Sequence, residues 1–360
     1  MNLSDVANAR LRSQQIAGTK FRTPKDVVGW MGAVQAQDFA MSRWAIGLRL
    51  PDANEQIVET AIARGEIIRT HLLRPTWHFV SADDIHWMLE LSSKRVKATF
   101  TGRHQELGLN ETIIAKSNAI IVKALQGGKS LAREELISML NDALIATDGN
   151  RASHLFARAE LDGILCSGAI KNGKQTYALL EERIPKTNPL TRDEALARLA
   201  RKYFSSHGPA TVQDFAWWSG LTGGDAKLAL EMVKADFVSE TIESQTYWVS
   251  QTSSEPQTGK DSVYLLPAYD EFIISYTDRR AMLPTKIHTQ AVIANGVFRP
   301  VIIVNGQVAG VWKRAIKKDR VIVDVEFFEK PDKTILELVE EAAIAYGRFL
   351  EKKAELSHVF

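Results

Sequence analysis

The chain has 360 residues, 45% of them hydrophobic and 24% charged, with a net charge of only +2. That is an ordinary globular composition, long enough for two or three domains, and its global charge does not by itself argue for a nucleic-acid partner. The single cysteine, Cys166, excludes an intramolecular disulfide and any cysteine-rich zinc or iron–sulfur site, and it suits a reducing compartment. Met1 to Arg12 is polar and charged, and no run of about 18 apolar residues occurs, so a cytoplasmic protein without a membrane span is expected.

Asp5 to Ala17 reads as an amphipathic helix, with Val6, Ala9, Leu11 and Ile16 apolar and Arg10, Arg12 and Gln14 outward. Thr23-Pro24 opens a second helix, with Thr23 as N-cap and Pro24 at its first position. That helix carries Val27, Val28, Trp30, Met31 and Val34 and then meets Gln35 and Gln37. Asn54 caps a third helix, Glu55 to Arg64, which Gly65 ends. The β-rich stretch Ile67 to Val80, interrupted by Arg74-Pro75, predicts a hairpin. Three helices followed by a hairpin outline a winged helix-turn-helix.

The outline recurs. Ser130 to Glu135 starts a helix in a capping-box-like pattern, His154 to Cys166 forms another, and Ala169 to Leu179 predicts a hairpin turning at Asn172-Gly173. A third copy has a helix over Arg192 to Phe204 and a short capped helix at Thr211 to Trp218. It continues with a helix over Asp225 to Lys234 and a strand pair over Phe237 to Val249. Gln251 to Lys260 is a polar linker. Strands follow at Val263 to Leu266, Ala291 to Ala294, Pro300 to Val304, Gln307 to Trp312 and Val321 to Phe328, with turns at Asn295-Gly296 and Asn305-Gly306. A last helix, Thr334 to Lys352, is apolar on one face. The expected fold class is α+β: three tandem winged helix-turn-helix units followed by a β-rich C-terminal domain with a terminal helix. The boundaries are 1–125 (with a helical extension), 126–190, 191–250 and 262–360.

Enzyme signatures fail one after another. Gln126 to Ser130 resembles the end of a P-loop, but Lys123 stands where the first glycine is needed. No G-x-G-x-x-G opens a βαβ unit, the eight histidines form no H-E-x-x-H, and Ser219-Gly220 lacks the nucleophile-elbow frame. No cofactor and no metal are expected. Basic residues cluster at Lys20, Arg22 and Lys25, at Lys94, Arg95 and Lys97 with Arg103 and His104, and at Lys313 to Arg320. Each cluster alone reads more often as a solvated face than as a DNA site; on winged helices, such residues contact phosphate. The DNA-facing candidates are Arg22, Lys25, Arg43, Arg69, His71, Arg74, His78, Lys94, Arg95, Lys97 and Lys171. For His71 and His78, beside Trp77, packing within the hairpin is the competing role.

Gln35 and Gln37 are the unusual feature. A buried amide left unpaired costs about 1–3 kcal/mol, so two amides in an apolar segment either are satisfied structurally or address a ligand or a water. On a helix, i and i+2 lie about 200° apart, so the pair converges only if the helix ends between or just after them. Asp38 is either a base or the cap of the next helix.

Several segments carry a family resemblance over essentially the whole chain: Val34-Gln35-Ala36-Gln37-Asp38, Arg69 to His78, Asp214 to Leu221, Leu265 to Phe272 and Asn295 to Pro300. The sequence resembles the AlkZ/YcaQ-like winged-helix DNA glycosylases. The AlkZ branch has Gln-hydrophobic-Gln at its catalytic motif and the YcaQ branch has Asp in the second position, so the resemblance implies an AlkZ-type site at Gln35 and Gln37, with Asp38 in support. It implies excision of alkylated purines, including bulky or crosslinked N7-guanine adducts, from double-stranded DNA. A monofunctional enzyme acting as a monomer is expected. A non-catalytic winged-helix regulator is the alternative.

Overall fold

The computed structural model describes residues 1–251, 261–293 and 296–359. The expected linker beyond Gln251, the end of the strand expected at Ala294, and Asn295 of the expected turn lie outside them. The chain forms two compact units, one of residues 1–58 with 196–360 and one of residues 59–195. The division passes through the first expected winged-helix unit because the N-terminal helices are fastened to the C-terminal part of the chain. The Trp44 indole donates to the Leu265 carbonyl at 2.8 Å, and Arg49 forms a two-pronged pair with Asp270, 2.8 Å on each prong, with both side chains fully buried.

Unit 59–195 packs the helices Ile85–Thr99, Glu111–Leu125, Arg133–Asp142 and Arg151–Leu161 on a core that includes Ile114, Ile121, Leu136, Leu140, Leu155 and Phe156. The strand Leu131–Ala132 precedes the third of these helices. It pairs with Thr176–Leu179, which in turn pairs with Leu165–Ser167. Asn172 and Gly173 adopt positive φ (50° and 73°) at the turn, as Asn-Gly in a tight hairpin requires. The helix expected over His154 to Cys166 stops at Leu161: Gly163, at φ 70°, reverses the chain and Cys166 falls in a strand. The hairpin Ile67–Leu72 with Arg74–Ser81 is antiparallel. Its turn is at Leu73, held at φ 59°, rather than at Arg74-Pro75, which begins the second strand.

In the other unit the order recurs: helix Arg192–His207, a bridge from Ala210 to Trp248, helices Val212–Ser219 and Gly223–Val233, and hairpin Phe237–Ile242 with Gln245–Ser250. Along the chain, Pro24–Met31, Val34–Gln35, Phe39–Gly47, Glu55–Ala63 and the hairpin after it follow the same order. The C-terminal sheet runs 353–359, 320–327, 307–316, 301–304, 263–266. Its outer strand Lys353–Val359 is parallel to Arg320–Phe327 and is reached over the helix Lys333–Phe349. Tyr346 and Phe349 of that helix pack on Trp44, and Tyr346 also on Trp312, with ring centroids 5.1–5.2 Å apart. Gly47 lies so close to the Phe349 ring that no side chain fits there. The molecule is mixed α+β, and among the described residues no helix is long and apolar enough to cross a membrane.

Candidate active site

The second helix ends sooner than its apolar pattern suggests. Gly32, at φ 77°, stops it at Met31, and Val34–Gln35 is a two-residue strand. A β-carbon at Gly32 would also meet the Trp218 ring at 3.3 Å. The glutamines are therefore presented by a strand end and the bend after it, not by a helix end. Gln35 is buried, and its main-chain N–H donates to Glu271 Oε1 at 2.6 Å. Gln37 is exposed. Asp38 is the N-cap of Phe39–Gly47, its carboxylate accepting from the Met41 N–H at 3.0 Å. Gln37 thus stands between two anchored neighbours.

Glu271, fully buried, is the hub beneath the strand. Besides Gln35 it accepts from the Trp218 indole at 3.1 Å and from the Ser275 hydroxyl. His207 Nε2 lies 3.8 Å from the same carboxylate. The His207 ring stacks on Tyr203 with centroids 4.8 Å apart, and its Nδ1 meets the Ser206 hydroxyl at 2.7 Å. Burial pushes the His207 pKa below the ordinary histidine value, with Glu271 pulling the other way. Asp270, the neighbour of Glu271, caps the helix Glu271–Ile274 through the Phe272 N–H while holding Arg49. Glu271, which holds the Gln35 N–H, and Trp218 and His207 around it do not stand out as candidates in the sequence. A signal existed: Asp270-Glu271 interrupts the apolar run Leu265 to Ile274 as the glutamines interrupt theirs.

In the same unit Arg22 is exposed and Lys25 half-buried at the start of their helix. Arg43 pairs with Glu55 at 3.1 Å and lies over the Phe39 ring. In unit 59–195 the expected DNA-facing residues divide. Lys94 and Arg95 are exposed. Arg74 is half-buried, and Lys171 is exposed but bonded to the Ser130 carbonyl at 2.8 Å. Lys97 pairs with Asp162 at 2.9 Å. Arg69 lies over Trp77 at 4.5 Å and bonds Gln175 at 3.0 Å. His71 and His78 are not on the open surface expected of DNA-facing residues: both are buried. The His71 ring and main-chain N–H both meet the buried Glu160 carboxylate, and His78 Nδ1 lies 3.0 Å from the Thr76 carbonyl. The register pairs His71 with Trp77 and His78 with Thr70, so the two lie on opposite faces of the hairpin, and both faces are covered there. Arg69, Trp77, Arg133, Glu160, Lys174 and Tyr177 line a cavity of about 590 Å³, in which burial pushes the Tyr177 hydroxyl pKa up to about 12.

Comparison with known proteins gives the chain its class, a DNA glycosylase. The chain belongs to the AlkZ-like DNA glycosylase family, whose model matches residues 28–349. Among curated proteins it is similar to an interstrand DNA cross-link repair glycosylase of Streptomyces sahachiroi, 23% identical over 352 residues, covering 89% of this chain and 88% of that one. Among solved structures it resembles the Streptomyces sahachiroi DNA glycosylase AlkZ over 100% of both chains, with a TM-score of 0.82 at 19% identity. The structural likeness speaks for the fold, and the family model establishes a DNA glycosylase.

Proposed function

We propose that this glycosylase hydrolyses the N-glycosidic bond of N7-alkylated purines in double-stranded DNA, bulky and crosslinked adducts included, and that three tandem winged helices carry the DNA. The curated relative is named for repair of interstrand crosslinks, which supports the crosslink part of this reading. The observation that supports the catalytic part is the placement of Gln37: an exposed amide in the bend between Gln35, whose main-chain N–H is held by Glu271, and Asp38, whose carboxylate is engaged at Met41.

An N7-alkylated guanine is already cationic and leaves without a general acid. Cleavage passes through an oxocarbenium-like state. The protein's task is to direct a water and negative partial charge at the sugar. An amide carbonyl presented from an anchored stretch of backbone can do both, because a preorganised dipole reorients little during reaction. A neutral amide is a weak base, so normal bases, with their poor leaving groups, are spared. No lysine adjoins Gln35 to Asp38, so hydrolysis without strand cleavage is expected.

Incubating the protein with methylated duplex DNA and with an N7-crosslinked duplex tests this. Free 7-methylguanine, unhooked strands and no borohydride-trapped adduct are expected. No released base, or a trapped adduct with strand cleavage, contradicts it.

A further inference from the structure

Beside Gln35, the helix Val212–Ser219 turns Trp218 inward onto Glu271 and its neighbour Trp217 outward, where Trp217 remains 48% exposed. An indole this open on a folded surface is uncommon, and this one is held in place. Its Nε1–H donates to the Ile274 carbonyl at 3.0 Å. The Arg279 guanidinium lies 5.9 Å from the Trp217 ring centre and 5.2 Å from that of Phe298, its Nε bonded to the Ile273 carbonyl at 2.9 Å. Tyr269 closes the row, 6.2 Å from Phe298. The two anchoring carbonyls belong to Glu271–Ile274, the short helix whose first residue holds Gln35.

We infer that Trp217, Arg279 and Phe298 form a stacking platform for one unpaired nucleobase of the DNA. This rests on the glycosylase reading and adds a residue-level base contact to it. A π-face that accepts any base, with a cation beside it for the flanking phosphate, gives sequence-independent capture of an unpaired nucleotide. Intact duplex, with its bases stacked inside, gains nothing from such a surface.

The test uses the full chain and duplexes carrying 2-aminopurine either in a single-nucleotide bulge or fully paired. Wild-type protein quenches the bulged probe and binds it more tightly than the paired one. Trp217→Ala abolishes the quenching and weakens bulge binding about 5- to 150-fold while paired-duplex binding is kept; Trp217→Phe restores most of both. If Trp217→Ala does not fold, Arg279→Met takes its place, with weaker quenching and about 2- to 5-fold weaker bulge binding expected. Unchanged quenching in these variants, or equal weakening on both duplexes, overturns the platform alone. A wild-type protein that binds neither duplex overturns the glycosylase reading with it.

Discussion

Replacing Glu271 by alanine removes the acceptor of three groups at once: the Gln35 N–H, the Trp218 indole N–H and the Ser275 hydroxyl. The hydroxyl can rotate to another acceptor. The two N–H groups cannot, and each unpaired buried donor costs about 1–3 kcal/mol. With the space left by the side chain, the loss is about 3–5 kcal/mol, a large part of the 5–15 kcal/mol that usually separates folded from unfolded protein. In a unit of this size, 1 kcal/mol corresponds to about 2–4 °C in Tm. E271A should therefore melt about 6–20 °C below wild type by calorimetry, and its Gln35 amide should exchange faster with deuterium. E271Q keeps one carbonyl for the Gln35 N–H but turns an NH₂ toward the Trp218 indole. It should lose less stability and retain Gln35 protection. Melting of E271A within about 1 °C of wild type, or unchanged Gln35 exchange, refutes the hub assigned to this carboxylate.

Arg49→Met strands Asp270 in the core, and breaking such a buried pair costs about 3–5 kcal/mol, read as a lower denaturant midpoint. Asp38→Ala loses the helix cap and about 0.5–2 kcal/mol; Asp38→Asn keeps the cap and should keep both stability and base release, whereas lost release at unchanged stability would assign the charge itself a role. His207 has a folded pKa below its unfolded value of about 6.5, so its contribution is fully present above pH 6.5 and is lost as pH falls through that value toward the folded one. The Tm of wild type should drop from pH 7.5 to 5.5 more steeply than that of H207Q, and parallel profiles would contradict this.

Much of the architecture was legible because local chemistry and tertiary structure agree. Thr23 and Thr211 cap the helices they were expected to cap, and Asn172-Gly173 turns the hairpin it was expected to turn. The strand Lys353–Val359 was missed: Lys353 to Ser357 is not apolar enough to announce a strand, and its pairing is with a segment 33 residues upstream. The hairpin turn at Leu73 was hidden because a leucine at positive φ runs against intrinsic preference, which leaves Arg74-Pro75 as the more conspicuous break. At the site, spacing identified the glutamines but placed them at a helix end; Gly32 moved them to a strand. Glu271 lies 236 residues from Gln35 in sequence, a separation no local pattern bridges. His71 shows the same limit, since its partner Glu160 is 89 residues away.

The central claim, that Gln37 acts on the sugar while Gln35 and Asp38 fix its place, is tested most directly by single-turnover release of 7-methylguanine from methylated duplex by Gln37→Ala. A loss of about 100-fold or more in the chemical step, with wild-type DNA affinity and Tm, is predicted, because the exposed side chain contributes little to folding. Release at the wild-type rate would contradict it.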